Sequence, residues 1–275
     1  MYHVHHQEKT YIHNITNLSM DFVRPKKSLG QHFLKDENIA RKITESLSPG
    51  NAHVLEIGPG TGILTRLLMQ RADTHLKVIE IDRDSIAYLE EHFPTLKDDI
   101  ITGDFLKMES SMLFPQPIAV IGNFPYNISS QILFRVIENR DMVHEVVCML
   151  QREVAQRLAS PPGSKQYGIL SVLLQAWYKI EYLFTVSPQV FVPPPKVTSA
   201  VIRLKRNSVT DLGCDPALFH KVVKTAFNQR RKTLHNALKP LCPDYSGEFA
   251  GQRAEQLSVI QFVKLTGEIS RLIAC

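Results

Sequence analysis

The sequence predicts an α/β protein: a parallel sheet with helices on both faces, followed by a small helical region. Three observations carry this expectation. Short apolar runs alternate with stretches of helical periodicity through the first two-thirds of the chain. A glycine-rich turn joins the first long strand to the helix after it. Strand signal nearly vanishes after Asn207.

Taken in order, Asp36 can cap a helix whose Ile39, Ala40, Ile43 and Leu47 fall on one face, with Pro49 and Gly50 ending it. His53–Ile57 reads as a buried strand, Gly58 to Gly62 as the turn, and Ile63 to about Arg71 as a helix. Lys77–Ile81, Ile100–Thr102, Ile118–Gly122 and Val143–Leu150 read as further strands. Helices are expected over Asp84–Phe93, Ser129–Glu138, Glu153–Ser160 and Gly168–Trp177. Tyr178–Val186 and Ala200–Leu204 alternate like a closing hairpin with a proline-rich connection. Helices then follow at Phe219–Phe227, Gln229–Leu238 and Ser258–Ile273. This divides the chain into a leader or extension without structure (1–19), a sheet domain (20–206) and a helical domain (207–275).

Composition narrows the class. Of the 275 residues 44% are hydrophobic and 21% charged, which fits a folded globular protein and not a disordered one. No apolar run is long enough to span a bilayer. The formal charge of +5 fits a polyanionic partner. Four scattered cysteines (Cys148, Cys214, Cys242 and Cys275) form no CxxC pair, so neither zinc site nor disulfide framework is expected, and a reducing compartment, the cytoplasm, is. The first 19 residues hold His3, His5, His6 and His13 but no apolar core of a secretory signal.

The chemistry begins at Glu56-Ile-Gly58-Pro-Gly60-Thr-Gly62, between a strand and a helix, where glycines let the backbone approach a ligand closely. A dinucleotide fingerprint would need glycine at 63, and Ile63 stands there. Glycine at 62 instead resembles the Rossmann-like turn of S-adenosylmethionine-dependent methyltransferases, which contacts the amino-acid end and ribose of a nucleoside. Glu80, followed by Ile81, sits at the next strand end, where a carboxylate can accept both ribose hydroxyls; Asp82 competes for that role, with helix capping as its alternative. Asp104 could accept a hydrogen from an adenine amino group and Phe105 could pack on the ring.

Asn123-Phe-Pro-Tyr126 follows the fourth strand. It resembles the Asn-x-Pro-Tyr signature of N6-adenine methyltransferases of RNA, and within them the small-subunit ribosomal RNA adenine dimethyltransferases. The resemblance runs from about Arg24 to Asn236 and includes Ser28–Leu34, Asn123–Ser129, Pro162–Gly168, Phe191–Val197 and Phe227–Lys232. Phe124 departs from the commoner aliphatic residue, at a position where the backbone carbonyl is the functional group. The resemblance implies S-adenosyl-L-methionine as cofactor and no metal. It also implies Gln31, His32, Phe33 and Leu34 as a segment lidding the cofactor, and two adjacent adenosines near the 3′ end of small-subunit ribosomal RNA as substrate. A monomer acting on the small subunit or its precursor is expected, with no membrane partner.

The residues have a physical reading beside the resemblance. An adenine amino nitrogen is a poor nucleophile because its lone pair is delocalised into the ring. Two acceptors, the Asn123 side-chain oxygen and the Phe124 carbonyl, can hold the amino group with the nitrogen facing the methyl. Pro125 restricts Phe124 to extended backbone. Tyr126 offers a stacking face for an unstacked base; Phe191 either sandwiches that base or fills the core.

Lys26 and Lys27 precede the lid segment, and Arg230, Arg231 and Lys232 are expected to open a C-terminal helix. Cations there oppose the helix dipole, a local cost that an RNA phosphate would offset. Three other readings compete: a resistance-type methyltransferase of large-subunit RNA, a non-catalytic ribosome-assembly factor, and a nicotinamide-dependent oxidoreductase. Ile63 and Asn123–Tyr126 argue against the last.

Overall fold

The computed structural model describes residues 23–72, 74–108 and 115–274. The proposed leader, Asp73 and Cys275 therefore lie outside the described residues. Nine strands are found among them: β1 (Phe33–Leu34), β2 (His53–Ile57), β3 (His75–Glu80), β4 (Ile100–Thr102), β5 (Ile118–Asn123), β6 (Val143–Gln151), β7 (Tyr178–Val186), β8 (Phe191–Val192) and β9 (Ser199–Arg206).

Seven of them form one sheet in the order β4-β3-β2-β5-β6-β9-β7. Strands β2 to β6 run parallel, and β9 and β7 add an antiparallel edge. The strands are apolar almost throughout because both faces are covered. Leu55, Val120, Val146 and Cys148 face one side; Val54, Ala119, Val147 and Met149 face the other. The helices Glu37–Glu45, Ile63–Leu68 and Arg83–His92 cover the second side. Ser129–Glu138, Arg152–Ala159 and Ile169–Gln175 cover the first.

Sequence expectation and structure agree closely through this sheet, where aspartates set the helix starts. Asp36 accepts from the Ile39 amide at 3.0 Å, and Asp82 from the Asp84 amide at 3.2 Å. The first helix ends at Glu45, ahead of Pro49 and Gly50. The hairpin expected from Tyr178–Val186 and Ala200–Leu204 is present as paired β7 and β9, with β9 innermost.

Two features differ from expectation. A two-stranded sheet pairs β1 with β8, Phe33 opposite Val192 and Leu34 opposite Phe191, and neither strand is long enough to leave a periodic signal. Further on, the expected helix over 229–238 is reduced to Leu234–Ala237. The amides of Leu234 and His235 are taken by the carbonyls of Gln252 and Ala250, so the chain just before them turns instead of coiling. Arg230–Lys232 thus follow the C-terminal end of the helix Pro216–Asn228, where cations are favourable, and the expected dipole cost does not arise. Pro216–Asn228 and Val259–Ile273 pack onto the first face of the sheet through the same continuous apolar cluster.

Candidate active site

The parallel strands β2 to β5 end side by side, as ligand sites in such sheets do. Their following turns, with an N-terminal segment laid across them, bound a cavity of about 280 Å³. Gly58 and Gly60, Glu80 and Ile81, Asp104 and Phe105, Asn123 to Tyr126, and Gln31 to Phe33 all line it.

The glycine turn is shaped by close approach. Gly60 has φ +57°, and a Cβ there would lie 2.7 Å from the Phe33 ring; Gly58 has φ +67° and open space beside it. Gly62, φ +77°, does not line the cavity: its missing Cβ makes room for Phe93, which a Cβ would meet at 2.5 Å. Glu56 is also turned away, buried with its carboxyl accepting from the Thr65 hydroxyl at 2.6 Å. Burial, with Glu80 nearby, pushes that carboxyl up to about 8. Gly62 and Glu56, expected as cofactor contacts, are therefore supports beneath the turn.

Glu80 does face the cavity, though only 5% exposed. One oxygen accepts from the Gly60 amide at 3.2 Å, the other from the amides of Ile81 and Asp82 at 2.8 and 2.9 Å. Burial raises its pKa against these bonds. Asp82 does not line the cavity. It caps the helix Arg83–His92, binds the Lys26 ammonium, and accepts from Gln31 Nε2 at 3.0 Å. The ammonium and amide partners hold its carboxyl below the usual range, against the opposing effect of burial. At the third strand end, Asp104 accepts from the Leu106 amide at 3.0 Å and keeps its second oxygen near Lys107 at 3.9 Å.

The other end of the cavity is built from distant segments. Asn123 Nδ2 donates to the His32 carbonyl at 2.9 Å. A carbonyl can only accept, so the amide nitrogen is committed and Oδ1 is the atom left for a ligand. Phe124 is anchored by a fully buried ring and by its amide, which donates to Met149 at 3.0 Å. The Tyr126 ring stacks on the His32 imidazole, centroids 5.6 Å apart and planes 27° apart. Its hydroxyl bonds to Ser199 Oγ. His32 Nδ1 lies 2.7 Å from the Pro193 carbonyl and must carry the proton of that bond.

Four expected ligand contacts are placed elsewhere. Phe191 is 1% exposed, packed in the core, and lines no part of the cavity; the ring against Tyr126 is that of His32. Leu34 is buried in the same cluster because its neighbours in β8 cover it. Lys26 is ion-paired with Asp82 and Asp84, which fastens the lid segment. Arg230 donates to the Ser164 carbonyl at 3.2 Å and lies 3.7 Å from Glu255, fastening the 161–168 loop. Lys27, Arg231 and Lys232 are exposed. Sequence reasoning missed Ser199 and the Pro193 carbonyl: a buried serine opening a strand and a backbone oxygen leave no pattern to read.

A parallel sheet with a glycine turn at its first strand end, a buried carboxylate at the second, an aspartate at the third and Asn-Phe-Pro-Tyr at the fourth defines an S-adenosylmethionine-dependent methyltransferase. The cavity fits that cofactor: glycine backbone lines it, and the buried Glu80 carboxyl, fixed by three amides, faces it. The family profile of ribosomal RNA adenine dimethylase matches residues 23–264. The chain belongs to that family. It is 58% identical over 252 residues to the ribosomal RNA small subunit methyltransferase A of Parabacteroides distasonis, covering 90% of this chain and 94% of that protein. To the protein of the same name from Cytophaga hutchinsonii it is 54% identical over 256 residues, 91% of this chain and 99% of the other. Among solved structures, a dimethyladenosine transferase from Plasmodium falciparum superposes with TM-score 0.72 at 25% identity, over 87% of this chain and 98% of that one. The 23S rRNA methyltransferase ErmE superposes at 0.63 with 26% identity, over 86% and 99%.

Proposed function

We propose that this chain transfers methyl groups from S-adenosylmethionine to N6 of two adjacent adenosines near the 3′ end of small-subunit ribosomal RNA, two to each, during small-subunit assembly. The observation that carries the reading is the committed Asn123 amide: its nitrogen is tied to His32, leaving an oxygen beside the Phe124 backbone to receive an amino group. The preference for small-subunit over large-subunit RNA rests on relatives above 50% identity that carry the small-subunit name, against 26% for ErmE.

Gly58, Gly60, Glu80, Ile81, Asp104, Phe105 and the backbone of Gln31–Phe33 would hold the cofactor. When bound, it supplies a methyl on a sulfonium, a good leaving group. The protein's task is therefore alignment. Asn123 Oδ1 and the Phe124 carbonyl accept the two amino hydrogens, which orients the nitrogen and offsets the positive charge it gains. Pro125 keeps Phe124 extended. Tyr126 gives the base a face to stack on. No dedicated base is needed, because the amino proton becomes acidic only after transfer and passes to water.

Lys27, Arg231 and Lys232 anchor RNA phosphates without reading bases. The functional division lies near 206, with 207–275 serving the RNA. No helix among the described residues is long and apolar enough to cross a membrane; the working place is the cytoplasm and the working form a monomer. The test is methyl incorporation from labelled S-adenosylmethionine into undermethylated small subunits, free small-subunit RNA and large-subunit RNA, with product nucleosides identified by mass. Dimethyladenosine in small subunits is the expected result. Label confined to large-subunit RNA would move the protein to the resistance class, and subunit binding without label would make it an assembly factor.

A further inference from the structure

The lid segment meets the methyl-acceptor end of the cavity as well as the cofactor end, and one residue makes three contacts there. His32 accepts the Asn123 amide on its carbonyl, lays its imidazole on Tyr126, and donates from Nδ1 to the Pro193 carbonyl. The ring is thus turned toward Tyr126 and held by a backbone oxygen 161 residues away. Tyr126 is itself held at its hydroxyl by buried Ser199, so the phenol ring is fixed at its tip by Ser199 and along one face by His32.

We infer that His32 is a positioning residue for the methyl acceptor, and that its ring governs the second methyl transfer more than the first. The reason lies in hydrogen-bond count. An unmodified adenine amino group brings two N–H donors to two acceptors, Asn123 Oδ1 and the Phe124 carbonyl. A monomethylated one brings a single N–H, so one acceptor goes unused and the nitrogen's orientation depends on how firmly the base is stacked. That stack is only as firm as Tyr126, whose ring His32 backs. The inference rests on the proposed N6-dimethylation.

Three variants separate the outcomes. His32→Ala removes the ring and leaves the carbonyl that holds Asn123. His32→Phe keeps an aromatic face but not the bond to Pro193. His32→Asn keeps a polar group but no face. In single-turnover assays on undermethylated small subunits, His32→Ala is expected to slow the first transfer about threefold and the second at least tenfold. N6-monomethyladenosine would then accumulate, with the dissociation constant for S-adenosylmethionine within twofold of the parent. His32→Phe restores most of the dimethyl product; His32→Asn resembles alanine. Loss of cofactor affinity in step with rate, or an unchanged mono- to dimethyl ratio, overturns the inference. Ring-proton shifts of Tyr126 give a readout independent of RNA: an upfield displacement in the parent, lost in His32→Ala and kept in His32→Phe. A parent enzyme that methylates nothing would sink the functional reading, while shifts indifferent to His32→Ala would sink this one.

Discussion

The two ends of the cavity are built in opposite ways. At the cofactor end the strand-end parts are near one another in sequence, and only the lid over them comes from farther off: the turn follows β2, Glu80 closes β3, and the carboxylate gathers amides from Ile81, Asp82 and, 20 residues back, Gly60. At the acceptor end, Asn123 and Tyr126 are held by partners far along the chain: His32 is 91 residues from Asn123, and Ser199 is 73 from Tyr126. Rigidity from local backbone suits a ligand of fixed shape. Rigidity borrowed from a lid suits a base that must enter, turn after one methylation and be held again.

The largest effect that would sharpen this contrast is at the acceptor end. Asn123→Ala should lower methyl transfer by about a hundredfold or more while leaving cofactor affinity within about twofold, because the lost acceptor acts on the developing charge. Calorimetry beside single-turnover rates reads this; an equal collapse of cofactor binding would erase the distinction between the ends. Glu80→Ala attacks the other end and should do the reverse, weakening cofactor binding about tenfold or more. It also leaves three amides without their carboxylate, at about 1–3 kcal/mol of stability for each left unsatisfied. An unchanged dissociation constant would return the ribose role to Asp82, against the placement of that residue.

How much of each end was legible follows from the same contrast. The glycine spacing, Glu80, Asp104 and the strand boundaries could be read because each falls at a strand end that the local apolar pattern marks. Asn123-Phe-Pro-Tyr126 could be read as a motif, but not what orients it: nothing in Gln31-His32-Phe33 says that its carbonyl meets an asparagine after β5. Phe191 was ambiguous for the same reason, since only the pairing of β1 with β8 decides that its ring goes to the core. Lys26 and Arg230 looked like free charges until their carboxylate partners, distant in sequence, were seen.

RNA contacts should divide along the same lines. Reversing charge at Arg231 and Lys232 should weaken RNA binding by about tenfold at moderate salt and flatten its salt dependence. Lys26→Ala should leave that slope unchanged, because Lys26 is spent on Asp82 and Asp84. Equal slopes for all three variants would put Lys26 back on the RNA. The last effect is on stability alone and concerns the support under the glycine turn. Glu56 is buried with its carboxyl raised to about 8 from an ordinary 4.5, so the folded state favours the neutral acid. Its contribution to stability is complete below the unfolded value and is lost as pH rises through the folded one. Glu56→Gln keeps a neutral partner for Thr65. Its stability relative to the parent should climb between pH 4.5 and 8, by about 1.4 kcal/mol for each pH unit crossed. A pH-independent difference in denaturant unfolding would show that Glu56 is already charged in the fold.

The fastening of the lid has a consequence for how the protein is made. Lys26 to Leu34 leave the ribosome early and can be fastened first by Asp82 and Asn123, yet Pro193 and the β8 residues that also hold this segment are synthesised some 160 residues later. The glycine turn, Glu80 and Asn123 can all be in place on a growing chain whose lid is not yet tied to Pro193 and β8. The hold on the His32 ring and on Phe33–Leu34 is therefore complete only when the proline-rich stretch returns to meet them. The acceptor end is thus finished last, by residues that close the sheet rather than by those that begin it.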